Sequence, residues 1–587
     1  MKVRIIILLT AISVLTGCAD MLDKHPLAQL SPEEFFSNRN ELEAYSNTFY
    51  SIFPATSIYS ENVDTYTKLE LPEEIRGGRI VPASGGGWTW SALRNYNTLL
   101  EYSSNCPDQK VRSEFDALAR FFRAYFYFEK VKRFGDVPWY DRPMGSADEE
   151  LKKPRDSREF VMQKMIEDID YAIRNLPAQH SQYRVTKWTA LALKSRFCLF
   201  EGTYRKYHGL SDMEHDWKWY LEQSASASKE FIDMSGYTLY TADGPGKSYL
   251  NLFASENACP DEIILARDYN KAVGVFHNSN FYTLSQSYGR PGMTRKLVAS
   301  YLMKDGTRFT DKTGWQTMTF AEECKNRDPR LSQTIRTPGY ERIGKSGKLA
   351  PDLAVTVTGY QPIKFVAGTD ADDFNQSYID LPIFRTAEVY LNYAEAKAEL
   401  GTFTDTDADM SVNLLRKRVG MPDMDLSVSP DPYLLAPETG YPQVALKNPD
   451  NGQAVILEIR RERAIELAQE GFRYYDLIRW KEGNAFTQPF YGMYFSGLGD
   501  YDLDGDGTVD LCLYSGSKPT TKAKLVLKVG QDIMLSEGES GFVSPHKENA
   551  GVWIEGRDYL YPIPTDERSL TSGVLVQNPG WDDGLDF

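Results

Sequence analysis

The sequence is short of the residues that usually run chemistry. Its 6 histidines are scattered along 587 residues with no H-E-x-x-H pair, which leaves no zinc-hydrolase helix to read. Beyond Cys18, the cysteines Cys106, Cys198, Cys259, Cys324 and Cys512 lie far apart with no C-x-x-C spacing. Neither a disulfide framework nor a zinc knuckle is indicated, and Cys198, inside an apolar helical pattern, reads as a small core residue. Gly244-Pro-Gly-Lys-Ser248 has the end of a phosphate loop, but Thr241 stands where the first glycine belongs. Positive charge is scarce too: 66 Lys and Arg face 82 Asp and Glu, a net charge of −16. That balance repels a phosphate backbone and argues against nucleic acid as a partner. After the N-terminal segment no long apolar run follows, so the body does not read as membrane-spanning. A glycosidase needs two carboxylates a few ångströms apart in a cleft, and composition alone does not decide on such a pair.

What is present begins at the N-terminus. Lys2 and Arg4 precede an apolar stretch from Ile5 to Leu15, too short to span a bilayer. Leu15-Thr16-Gly17-Cys18 follows, a bacterial lipobox in which Cys18 is lipidated and becomes the first residue. Each buried methylene of an acyl chain contributes about 0.8 kcal/mol, so a multiply acylated cysteine anchors stably. Residues 1–17 are then a lipoprotein signal peptide and 18–30 a tether, in which Asp20 and Asp23 look like a surface-export signal. Aromatics reach 13%, with 36 Tyr and 10 Trp. Part of that fills a core; the surplus suits a recognition surface, because each such ring has a flat apolar face and a polar tip.

Apolar periodicity predicts a mainly α protein. Ser31-Pro32-Glu33-Glu34 is a capping box opening a helix to about Phe53. Further helices are expected over 108–134 with Gly135 as stop, from a cap at Asp156 to Leu176, from Thr186 to Gly202, and over 216–234. Shorter candidates cover 294–303, 385–400, 408–419 and 452–482. Helical hairpins of this length are what a tetratricopeptide-like scaffold uses, although its consensus is not legible. The aromatic, Gly-rich stretches 70–90, 236–293, 305–380 and 484–556 read as ordered surface loops. Short strands are expected at 261–266 and 522–528. The Arg/Glu-rich run 460–480 reads as a solvated or structural ion-pair network.

Asp502-Leu-Asp504-Gly-Asp506-Gly507-Thr508-Val509-Asp510 spaces its carboxylates as a Ca²⁺ loop does. Asp502, Asp504, Asp506 and Asp510 would supply carboxylate oxygens and Thr508 its carbonyl, in a structural role. Leu513 stands where an EF-hand has its bidentate Glu. Among the aromatics, Trp88 and Trp90 follow the run Gly85–Gly87, which lets the backbone bend so that the indoles can face outward. Arg76 lies nearby in sequence. Tyr282 and Tyr288 form a second cluster with Phe276 and Phe281, and Trp315 is a third candidate.

Several blocks resemble the SusD/RagB family. They are Ala119-Arg-Phe-Phe-Arg-Ala-Tyr-Phe-Tyr-Phe128 with Arg133-Phe-Gly-Asp-Val-Pro138, then Arg184–Lys194, Asn326–Leu331, Arg385–Ala396 and Asn413–Gly420. Arg460–Trp480, Tyr559–Pro564 and Gln577–Trp581 complete the set in family order. The resemblance implies a tetratricopeptide-like scaffold with long binding loops and few strands: a SusD-like N-terminal helical region over 31–235, then a RagB/SusD C-terminal region over 236–587 that carries the acidic loop 500–513. It also implies a cell-surface, lipid-anchored outer-membrane protein that is not an enzyme. Such a protein binds a glycan and delivers it to a SusC-like TonB-dependent transporter; the alternative is peptide capture, as in the RagB branch. Family position makes Trp88 and Trp90 the first candidates for a glycan platform, with Arg76, Tyr282, Tyr288 and Trp315 beside them.

Overall fold

The computed structural model describes residues 35–211, 213–448, 452–548 and 551–587. The lipobox with Cys18 and the capping box at 31–34 lie outside them. The first described helix, α1 (Arg39–Ser46), is capped by Asn38, whose side chain accepts from the Glu41 N–H, and passes into a 3₁₀ turn up to Ile52.

The N-terminal half is built from consecutive helices that pack side by side: α2 (Ser91–Tyr102), α3 (Gln109–Phe134), α4 (Arg158–Asn175), α5 (Lys187–His208) and α6 (Trp217–Met234). Local chemistry sets most of their ends. The Asp108 carboxylate accepts from the Lys110 and Val111 N–H groups, and Gly135, at φ 73°, stops α3. Thr186 and Thr189 form the box that opens α5, and Asp216 caps α6. From Phe115 onward α3 is buried on nearly every face, because it lies between α2 and α4.

Two of the expected ends differ. Ser157, not Asp156, caps α4; Asp156 instead accepts from the Trp139 N–H at 2.7 Å and pairs with Lys153. Gly202 does not end α5. It lies within the helix, where an added Cβ would come 2.7 Å from Leu221 of α6, so its small size serves the close approach of two helices.

The C-terminal half returns to this scaffold through α7 (Ser279–Leu284), α8 (Arg295–Ser300), α9 (Thr386–Glu399), α10 (Val412–Arg418), α11 (Gln453–Glu466), α12 (Arg473–Arg479) and α13 (Thr565–Leu570). The run expected as one helix over 452–482 is two. The chain breaks at Gln469 (φ 63°) and Gly471 (φ 80°), and the Gln469 amide donates to the Tyr59 carbonyl and the Tyr66 hydroxyl.

Strands are short and paired in small sheets. β1 (Tyr66–Thr67) pairs with β3 (Gly292–Met293), and β2 (Ile263–Arg267) pairs antiparallel with β4 (Leu381–Arg385). β5 (Tyr494–Phe495) meets β9 (Gly541–Phe542), while β6 (Gly499–Tyr501), β7 (Leu511–Tyr514) and β8 (Leu525–Lys528) form a sheet of three. The cysteines at 106, 198, 259, 324 and 512 are unpaired. No helix among the described residues is long and apolar enough to cross a membrane.

The Arg/Glu-rich helix α11 is not a solvated face. Glu466 is fully buried and meets Arg385 at 2.8 Å, Arg418 at 2.6 Å and Arg330 at 3.3 Å. Glu462 one turn earlier takes Arg416 and Arg330. Buried charges persist only when paired and hydrogen-bonded. These pairs tie α10, α11, the end of β4 and the 328–330 turn into one block.

Candidate functional site

The structure separates the sequence candidates into three places, and the residues lining each are distinct. The first is the Trp88–Trp90 pair. Gly85, Gly86 and Gly87 all have positive φ, the conformation that glycine reaches without a steric penalty. Helix α3 holds this turn from beneath: Arg133 Nε donates to the Gly86 carbonyl at 2.8 Å and the Lys130 amine to that of Gly87. Burial, with Arg133 beside it, pushes the Lys130 amine down to about 7. The turn does not aim both indoles outward. Trp88 is 4% exposed and packs edge-on against Phe134 at 4.9 Å, so it belongs to the core. Trp90 is half-buried and, with Tyr140 and the edge of Trp88, lines a cavity of about 470 Å³ between the start of α2, the 138–152 segment and α13. Arg76 does not join them. It ends the one-turn helix Glu73–Arg76 as an exposed side chain and is absent from that cavity's wall.

The second place is an open aromatic patch. Tyr288 is 48% and Phe374 59% exposed. Their rings stand at 85° with centroids 6.5 Å apart, and the half-buried Phe281 of α7 bridges them at 5.7 and 5.4 Å. Tyr282, another of the sequence candidates, is buried. It lies edge-on to Tyr288 at 5.8 Å and rests on Tyr59, so it supports the patch from below. The loop carrying Phe374 is fixed on both sides. Ser377 bridges to His277, the Asn375 N–H donates to the Asn278 side chain, and Arg342 pairs with Asp372 at 2.6 Å. Asn280 of α7 donates to the same Asp372 carboxylate. Exposed Gln286, Ser287 and Asn375 supply polar groups next to the rings.

A fixed pair of rings at right angles, flanked by amides and hydroxyls, can hold a ring-shaped polar ligand. The ligand's C–H face packs on one aromatic plane while its hydroxyls bond the amides. The sequence reading missed Phe374. Its signal was a lone aromatic beside the acidic run Asp370–Asp373, a composition that keeps a segment at the surface.

The third place holds Trp315. It lines a cavity of about 360 Å³ and stands perpendicular to Tyr433, with ring centroids 5.6 Å apart. Tyr433, Tyr491 and Phe542, its aromatic companions, were not among the sequence candidates, because they come from segments remote in the chain.

The acidic loop joins β6 to β7. Ligand atoms of Asp502, Asp504 and Asp510 lie within 4.8 Å of one another. The Asp506 carboxylate is not part of this cluster. Asp506 accepts from the Thr508 N–H at 2.7 Å, so three of the four expected carboxylates converge. Burial and the facing carboxylates, Asp510 foremost, push Asp504 up. Lys524 Nζ sits 2.8 Å from Asp510, where a bound cation would have to displace it.

A model described as the SusD family matches residues 262–581, which include the aromatic patch, Trp315 and the acidic loop. A second, described as starch-binding and associating with the outer membrane, matches residues 88–199. A SusD-like protein of Formosa agariphila is 23% identical over 530 residues, covering 83% of this chain and 93% of that protein. A SusD-like protein of Bacteroides ovatus is 22% identical, covering 92% and 96%. Among solved structures, a SusD-like protein of Bacteroides fragilis superposes with a TM-score of 0.67 at 23% identity, covering 95% of this chain and 100% of that one. A laminarin-binding SusD-like protein gives a TM-score of 0.54 at 19% identity, covering 93% and 100%.

Proposed function

The chain belongs to the SusD family, and from that premise we propose that it is a surface lipoprotein of the outer membrane that captures a glycan on the Phe281–Tyr288–Phe374 patch. The observation that carries the reading is the pair of exposed rings at right angles on a loop fixed from both sides. Rings and amides hold a sugar without attacking it, so the work is capture rather than catalysis. The captured chain passes to a SusC-like TonB-dependent transporter. The lipobox supports anchoring through Cys18; a Cys18→Ala protein that still partitions with membranes, in cells lacking the transporter, would count against it. We also propose a structural Ca²⁺ on Asp502, Asp504 and Asp510, supported by the convergence of their oxygens.

Calorimetric titration of protein starting at Ala19, against oligosaccharides and peptides, tests the capture reading. A site this open binds weakly, with Kd of about micromolar to millimolar. Tyr288→Ala and Phe374→Ala are each expected to weaken saccharide binding at least tenfold with unchanged melting curves. Saccharide binding that survives both substitutions moves the site elsewhere. Binding of peptides without saccharides overturns the glycan reading in favour of peptide capture.

A further inference from the structure

We propose that a cavity between the helical scaffold and the α11–α12 break is a binding site for a small organic carboxylate. The inference goes beyond the glycan reading and shares no residue with the surface patch. The cavity has a volume of about 300 Å³, the small end of ligand pockets. Gly471, where the chain turns at φ 80°, borders it, and its walls come from α3, α5, β4, α12 and the segment 52–58. Ser57 and Gly471 stand exposed at its rim, while Tyr125, Phe128, Leu199 and Ile383 are buried within it.

The carboxylates on its wall are all engaged. Asp476 accepts from Arg463 Nε at 2.8 Å and from Arg479 Nε at 3.0 Å. Glu470 accepts from Lys364 and twice from Arg385, and Glu129 pairs with Lys132 at 2.7 Å. The donors are not all engaged. Arg463 is 3% exposed, and its Nη1 donates to the Asn392 side chain at 2.9 Å, but its Nη2 has no hydrogen-bond partner among the described residues. Arg196 gives Nε and Nη2 to Glu388 and the Ile383 carbonyl and leaves Nη1 without a partner among them. The hydroxyl of Tyr125, 4% exposed, is likewise unpartnered. Both guanidiniums stand over the Phe472 ring, 5.1 and 5.5 Å from its centroid, so their free donors share one part of the cavity.

A wall with spare donors and no spare carboxylate selects its ligand. A buried donor left unpaired is unfavourable, and a ligand oxygen that pairs it removes the penalty. A carboxylate accepts charge-assisted bonds from guanidinium and hydroxyl alike, and two arginines offset its charge. A sugar would bring hydroxyl hydrogens for which no carboxylate is free. An ammonium would face two guanidiniums. An inorganic oxyanion would leave the apolar walls at Phe128, Leu199 and Ile383 without a partner. What fits is a carboxylate on a compact apolar body, the size of benzoate or isovalerate.

The test titrates benzoate and isovalerate, each beside its uncharged amide, calorimetrically into the protein starting at Ala19. At least one acid is expected to bind saturably, with Kd of about millimolar or below, and its amide at least tenfold more weakly. Tyr125→Phe, which removes only the hydroxyl, should weaken that acid at least fivefold with an unchanged melting curve. In crystals grown with 4-bromobenzoate, the anomalous bromine signal should lie beside Phe472. Four outcomes overturn the site: no saturable binding by either acid, amides that bind as tightly as the acids, an affinity untouched by Tyr125→Phe, or a bromine found elsewhere. Tyr288→Ala/Phe374→Ala should bind the acid as wild type does, so this site and the surface patch stand or fall separately.

Discussion

Tyr288 can stand at the surface because Gly289 lets Tyr282 lie beneath it. A Cβ on Gly289 would fall 2.4 Å from the Tyr282 ring, closer than atoms pack without displacement. Gly289→Ala should push Tyr282 off Tyr59, tilt Tyr288 and cost about 1–3 kcal/mol of overpacking. Melting temperature and saccharide affinity should fall together; a variant matching wild type in both would show that the contact relaxes freely. At this scale the site was half legible. Gly85–Gly87 announced a turn, and the turn is there. Which indole would be buried was not announced, since Trp88 and Trp90 differ only in the neighbours that folding brings, Phe134 for one and Tyr140 for the other.

Elements were most legible where their ends are local. Asp108, Thr186 and Asp216 mark helix starts because a side chain two or three residues away satisfies free N–H groups. Gly202 and the 467–472 break misled because tertiary contacts decided them: Leu221 pressed against one helix, and Tyr59 and Tyr66 held Gln469 at the other. The β6–β7 loop is an intermediate case. The sequence pattern expected four carboxylates; three of them converge, while Asp506 accepts from the Thr508 N–H. If calcium occupies the loop, mass action should raise stability by about 2.7 kcal/mol at a hundredfold excess over Kd. The Asp504→Ala/Asp506→Ala protein should lose that increment, read as a lower melting temperature in calcium. Equal melting temperatures for wild type in calcium and in chelator would speak against an occupied, stabilising site.

Among the described residues, buried ion pairs run through the apolar packing, and the pH profile should report them. Burial penalises Glu201, Glu399, Glu462 and Glu466, but the arginines and the lysine paired with them outweigh it and hold all four below the ordinary 4.5. Asp64, with Arg473 and Lys296, is held down to about 2. A depressed carboxylate stabilises the fold above its unfolded pKa, and that contribution is lost as pH falls through the folded one. Stability should therefore drop steeply from about pH 4.5 toward 2. Glu61 has the opposite sign. Burial raises it to about 7, against the Arg473 N–H and charge and with help from Asp476 and Asp64. Its contribution is complete below 4.5 and is lost as pH rises through about 7. Buried Glu482, raised by burial to about 7, acts with Glu61, and buried His208 and His277, lowered by burial to about 3 and 4, oppose these two between 6.5 and 4.5, so the four contributions nearly cancel there. Glu61→Gln isolates the share of Glu61. The amide keeps an acceptor for the Arg473 N–H, 3.0 Å away, but does not titrate. Relative to wild type the variant should gain stability from pH 4.5 to 8, by about 3 kcal/mol at most, since each pKa unit is worth about 1.4 kcal/mol. Urea unfolding at the two pH values measures this difference. Parallel stabilities would mean that Glu61 stays ionised throughout, paired with Arg473.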